Sequence, residues 1–125
     1  MKNDLIMIVD DMDLAIDILK QSLELAGYTN IQTFLHPTQL FDAVHQGHLP
    51  HMVITDYEMP EMNGIQLLDR VTVMYPSIHG LIVTGDTALV RAKTDKYPVL
   101  EKGENHFGKR LVEHVTRELS LWQPQ

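Results

Sequence analysis

The chain has 125 residues, 44% hydrophobic and 22% charged, a balance that suits one soluble globular domain with an ordinary core. A net charge of −7, with ten scattered basic residues, argues against a nucleic-acid surface and favours a cationic partner surface or a metal ion. No apolar run approaches the ~18 residues of a membrane span, the N-terminus lacks a signal-peptide pattern, and the absence of cysteine excludes disulfides and thiolate metal sites and fits a reducing cytoplasm.

Leu5 to Val9 is apolar without polar alternation, the pattern of a fully buried strand. Asp13 can cap a helix that ends near Gly27, with Ala15, Ile18, Leu19, Leu23 and Ala26 as its buried face. Ile31 to Leu35 is a short strand, and Pro37 suits the first turn of a helix that runs to about Gln46 and stops at Gly47. Met52 to Asp56 is a second buried strand, followed by a helix from Gly64 to about Met74 with Ile65, Leu68 and Val71 on one face. His79 to Thr84 is a strand, residues 86–95 a short, weak helix, and Tyr97 to Glu101 a last strand. A closing helix spans about Asn105 to Leu121, with Leu111, Val115 and Leu119 on its inner side.

Strand and helix thus alternate five times, which predicts an α/β fold: a doubly wound parallel sheet with helices on both faces. Ligands of such sheets sit beyond the carboxyl ends of the strands, where the winding reverses. Asp10, Asp11, Asp56, Thr84 and Lys102 all fall at or just after strand ends. Three carboxylates gathered at one rim repel one another unless a cation joins them, so the rim is a candidate metal site and phosphoryl acceptor.

The run Asp56-Tyr57-Glu58-Met59-Pro60-Glu61-Met62-Asn63-Gly64, with Val9-Asp10-Asp11, Thr84-Gly85 and Lys102, resembles the receiver domains of the response-regulator family over essentially the whole chain. The resemblance implies a flavodoxin-like (βα)5 fold with strand order 2-1-3-4-5 and a single receiver domain over 1–125. It implies that Asp56 takes a phosphoryl group from a sensor histidine kinase or a histidine phosphotransfer protein. Asp10, Asp11, Asp56 and the backbone carbonyl of Glu58 would hold Mg²⁺ (or Mn²⁺). Lys102 and Thr84 would bind phosphoryl oxygens, and Thr84 would act as the switch that reports the phosphate. Pro60 and Gly64 would shape the loop beyond Asp56. Such a domain serves signalling in the cytoplasm rather than metabolite turnover, acting on an output domain or target protein, with no membrane and no direct nucleic-acid contact.

The chain departs from the family in four respects. Lys102 is followed by Gly103 where the family has proline, which predicts a less firmly placed lysine. The segment between Thr84 and Lys102 is short and polar, which predicts a short or irregular fourth helix. The switch position three residues before the lysine, usually aromatic, is Val99, with Tyr97 two residues earlier and on the same side by strand alternation. Glu58 and Asp86 add acidic side chains beside the site.

Two rival readings are a degenerate receiver that binds partners without phosphorylation, and an Mg²⁺-dependent phosphatase with an Asp nucleophile. The latter lacks the expected D-x-D-x-T motif, since Glu58 stands two residues after Asp56. His45, His48 and His51 read as a solvated loop, because Pro50 interrupts them and the spacing suits no single helix face. Met52, Met59, Met62 and Met74 read as packing and turn residues, and Trp122 as a cover for the last helix or part of a linker.

Overall fold

In a computed structural model that describes residues 2–120, the apolar run near the N-terminus becomes β1, Ile6–Val9, with all four side chains buried. It is followed by α1 (Asp13–Leu25), β2 (Ile31–Phe34), α2 (Pro37–His45), β3 (Met52–Asp56), α3 (Gly64–Met74), β4 (His79–Thr84), α4 (Thr87–Arg91), β5 (Val99–Glu101) and α5 (Phe107–Ser120). The five strands form one parallel sheet in the order β2-β1-β3-β4-β5. This is the doubly wound, flavodoxin-like arrangement, and its winding reverses between β1 and β3. No described helix is long and apolar enough to cross a membrane.

Strand alternation divides the core between the two faces. Met7 and Val9 join Leu40, Val44, Leu67, Leu68, Val71 and Val90 on the side of α2, α3 and α4. Ile6 and Ile8 join Leu19, Leu23, Leu111, Val115 and Leu119 on the side of α1 and α5. Every residue of β1 therefore packs on one helical layer or the other, which is why the strand carries no polar position.

Local chemistry sets the element ends. α1 and α2 both stop at a glycine in the left-handed region, Gly27 at φ +98° and Gly47 at φ +96°. At each, paired bonds close the final turn: Gly27 N–H to Glu24 O with Tyr28 N–H to Leu23 O, and Gly47 N–H to Val44 O with His48 N–H to Ala43 O. β2 ends one residue earlier than expected because the Leu35 N–H donates to the Gln39 side chain. β5 begins at Val99 rather than Tyr97 because Pro98 has no N–H to give the ladder, although its carbonyl accepts from Ile82.

Two expectations about α1 are corrected. Asp13 is not the cap of α1; it is the first helical residue, and the cap position is Met12, in extended geometry. The Met12 N–H donates to Oδ1 of Asp10 at 3.0 Å, so the preceding aspartate shapes this turn. Ile18 is not on the buried face, being 49% exposed, while Ile16 is buried with Leu19 and Leu23. The helix is phased by β1 above it and by α5 beside it, where Gly108 approaches so closely that a Cβ would lie 3.0 Å from Ser22 Oγ. The expected helix end at Leu121, and Trp122, lie outside the described residues.

At the amino end of the sheet, His51 joins three strands. Its N–H donates to Leu5 O at 2.9 Å, its carbonyl accepts from His79 N–H at 3.0 Å, and its Nδ1 accepts from Leu5 N–H at 3.2 Å. His48 pairs instead with Gln32. The histidine triplet is thus split, with His51 a structural staple rather than a solvated loop residue.

Candidate functional site

Strand register brings the rim residues together. Val9 pairs with Thr55 across β1 and β3, so Asp10 and Asp56 leave adjacent strands side by side. Thr84 pairs with Glu101 across β4 and β5, and the Lys102 N–H continues that ladder by donating to Thr84 O at 2.8 Å. Asp10, Asp11 and Asp56 each offer a carboxylate oxygen within 4.8 Å of the others.

Asp10 is fully buried and uses both oxygens: Oδ1 accepts from Met12 N–H at 3.0 Å and Oδ2 from Lys102 Nζ at 2.7 Å. Lys102 Nζ also donates to Oδ1 of Asp56 at 3.0 Å. Gly103 does take the left-handed conformation, at φ +78°, but the expected looseness of Lys102 is not seen, since two carboxylates hold its ammonium. Burial raises the pKa of Asp56 above 3.8, assisted by the charge of Asp10 and opposed by Lys102. Burial pulls the Lys102 ammonium down, but its bonds and charge pairing with Asp10 and Asp56 outweigh that and leave it above 10.5. Lysine stays charged here, and it is Asp56 whose ionised form is strained.

The loop after Asp56 is fixed at its far end. Gly64 N–H donates to Tyr57 O at 2.9 Å, and a Cβ on Gly64 would lie 2.5 Å from the Asp56 carbonyl oxygen. Only glycine lets α3 begin so close to the Asp56 backbone. Asn63 caps α3 by accepting from Gln66 N–H, and the Gln66 side chain accepts from Asn63 N–H, each at 2.9 Å. The sequence reading missed this reciprocal cap, although Asn63 with Gln66 three residues on is its usual signature. Glu58, Met59 and Pro60 of the loop, with Asp11 and Asn63, line an open cavity of about 450 Å³ beside the carboxylates.

Thr84 is 6% exposed, and its Oγ1 accepts from Asp86 N–H at 3.1 Å. Oδ1 of Asp86 in turn accepts from Leu89 N–H at 3.1 Å, capping α4, which is only five residues long, in keeping with the short and polar segment between Thr84 and Lys102. Val99 and Tyr97 do share one side of the sheet, against the α3 core. The Tyr97 hydroxyl donates to Asp69 of α3 and lies 3.3 Å from Thr72 Oγ1, while Lys96 Nζ reaches the same Asp69 oxygen at 3.4 Å.

Three acidic oxygens at one rim form a hard donor set of the kind that suits Mg²⁺ or Mn²⁺, and the cluster is consistent with metal binding.

The chain is 26% identical over 104 residues to a chemotaxis protein CheY homologue of Campylobacter jejuni, covering 82% of this chain and 77% of that protein. It is 30% identical over 104 residues to the chemotaxis protein CheY1 of Helicobacter pylori, covering 82% and 81%. The signal receiver domain of an HD domain-containing protein from Pseudomonas fluorescens superposes with a TM-score of 0.84 at 25% identity, covering 96% of this chain and 97% of that one. The model of the response regulator receiver domain matches residues 6–102. A match that begins with the first residue of β1 and ends on the lysine that joins Asp10 to Asp56 spans sheet and rim together, and the chain belongs to the response regulator receiver domain family.

Proposed function

We propose that the chain is one receiver domain over residues 1–125 that accepts a phosphoryl group on Asp56, in the cytoplasm, from a sensor histidine kinase or a histidine phosphotransfer protein. The observation that carries this reading is the meeting of Asp10, Asp11 and Asp56 within 4.8 Å, with Lys102 bridging two of them. An Asp56 oxygen attacks phosphorus in line; the P–O bond forms as the P–N bond of the donor phosphoimidazole breaks, and the imidazole leaves with the nitrogen electron pair and takes up a proton. Asp10, Asp11, Asp56 and the Glu58 carbonyl are the groups that would hold Mg²⁺ or Mn²⁺, which when bound neutralises charge on the phosphoryl oxygens.

Lys102 reorients from the Asp56 carboxylate to a phosphoryl oxygen without leaving the rim. Thr84 keeps its hydroxyl proton for another such oxygen, because it already receives the Asp86 N–H on a lone pair. Hydrolysis of the aspartyl phosphate resets the domain, so its chemistry is confined to its own Asp56. The phosphorylated state is read by an output domain or a separate target protein.

The test is incubation with a small phosphodonor and Mg²⁺, followed by phosphate-affinity electrophoresis. Wild type acquires a base-labile, hydroxylamine-sensitive phosphate and Asp56→Asn does not. A wild type labelled by neither small donors nor phosphohistidine proteins would leave the phosphorylation-independent interaction module as the correct reading.

A further inference from the structure

Bonds run without interruption from the carboxylate rim to α4. Lys102 Nζ binds Asp56 at 3.0 Å, Lys102 N–H binds Thr84 O at 2.8 Å, Thr84 Oγ1 accepts from Asp86 N–H at 3.1 Å, and Asp86 Oδ1 accepts from Leu89 N–H at 3.1 Å. Among the described residues, Asp86 is the one that bonds both the Thr84 side chain and α4. We infer that Asp86 is a positioning residue: its carboxylate, by capping α4, holds its own N–H against Thr84 Oγ1 and so fixes the rotamer from which the Thr84 hydroxyl serves the phosphoryl group.

Two features give the carboxylate this leverage. α4 has five residues, and Val90 is the one buried among them, so the helix has little packing of its own. A capping bond is then a large share of what keeps it formed. Thr84 is nearly buried, and an unfixed hydroxyl there would sample rotamers that turn its proton away from the rim. The coupling runs both ways: a phosphoryl oxygen that draws Thr84 inward pulls on the Asp86 N–H, and through it on the first turn of α4.

The inference rests on the phosphoacceptor reading above for its function, but its structural half is measurable without phosphate. Asp86→Asn keeps the cap and removes the charge; Asp86→Ala removes both. In metal-free protein, three-bond couplings report one Thr84 χ1 rotamer for wild type and Asp86→Asn, and averaged rotamers for Asp86→Ala. With Mg²⁺ and beryllofluoride, amide shifts extend from Thr84 through Arg91 in wild type and Asp86→Asn. In Asp86→Ala they stop at Thr84, and beryllofluoride affinity falls about fivefold.

A single Thr84 rotamer in Asp86→Ala, or an Asp86→Asn variant as defective as Asp86→Ala, overturns the inference. A wild type that ignores beryllofluoride refutes the phosphoryl chemistry instead, and the χ1 comparison still decides the role of Asp86.

Discussion

The ammonium of Lys102 lies 2.7 Å from Oδ2 of the fully buried Asp10, nearer than its 3.0 Å to Asp56. Lysine therefore occupies the charge position that a divalent cation would share. Replacing it removes a competitor and leaves the rim more negative. Lys102→Met is expected to bind Mg²⁺ more tightly, on the order of tenfold, while melting at a lower temperature in EDTA because Asp10 and Asp56 then repel unopposed. Titration calorimetry and thermal scans check the two halves; weaker Mg²⁺ binding would mean that Lys102 orders the site more than it competes.

Asp56 carries the opposite sign. Its pKa is raised in the folded protein, chiefly by burial. The folded state therefore holds this proton more tightly than the unfolded chain, and stability drops as pH rises from 3.8 through the raised value. At neutral pH the ionised group is a net cost. Asp56→Asn is expected to melt higher than wild type without metal, and saturating Mg²⁺ should narrow the gap by stabilising only wild type.

A second titration belongs to α5. Burial lowers the His114 pKa below 6.5, Arg117 and His79 push the same way, and Glu118 opposes them. Arg117 and Glu118 lie on the same helix and His79 on β4, and among the described residues Nε2 of His114 has no hydrogen-bond partner, its nearest charged atom being Glu118 Oε1 at 3.6 Å. A depressed histidine contributes stability that is complete above the unfolded pKa of about 6.5 and is lost as pH falls toward the lower folded value. Urea unfolding at successive pH values between neutral and mildly acidic should show wild type weakening, and His114→Gln should flatten that decline.

Gly64 offers a steric test of how closely α3 and Asp56 are joined. A methyl group there would press to 2.5 Å from the Asp56 carbonyl oxygen and 3.1 Å from Thr55 Cγ2. Gly64→Ala is expected to lose about 1–3 kcal/mol of stability and to slow phosphoryl acceptance, because the backbone that must yield is that of Asp56 itself. Denaturant titration with a labelling assay separates the two effects.

Tyr97 is anchored rather than free to turn. Its hydroxyl donates to Asp69, and Gly80 makes room for its ring, since a Cβ at Gly80 would lie 2.8 Å from Leu68 and 3.2 Å from Tyr97. Tyr97→Phe is expected to lose about 1 kcal/mol, below the ~1.5–3 kcal/mol of a bond to a charged group because the Asp69 carboxylate is partly exposed. The ring signals of Tyr97 should not move when a phosphoryl mimic is added; a large shift would restore it as a moving switch.

Much of this arrangement was legible in the chain. Apolar runs ending in Asp10-Asp11, Asp56 and Thr84 disclosed both the strands and the rim, because burial on two faces keeps the strand interiors almost wholly apolar and gathers the carboxylates at the strand ends. What escaped depended on partners distant in sequence. The phase of α1, with Ile16 rather than Ile18 inward, is imposed by its neighbours, and periodicity alone could not distinguish the two. The grip of Asp10 and Asp56 on Lys102 joins residues 92 and 46 positions apart, and no local signal announces it. The same holds for Tyr97 on Asp69, whereas the Asn63–Gln66 cap was local and readable.

His51 ties the amino-end rim of the sheet to β1 and β4 through main-chain and ring bonds, on the far side of the sheet from every acidic group of the cluster. Rigidity and reactivity are thereby assigned to opposite ends of the same strands. Exposed positions of the rim segments, such as Glu58, Glu61, Lys93 and Asp95, can then accept sequence change with little effect on whether the chain folds. A scaffold built this way is tolerant to diversification: new partners and new lifetimes of the signal can be selected at one rim while the other keeps the barrel of substitutions from reaching the core.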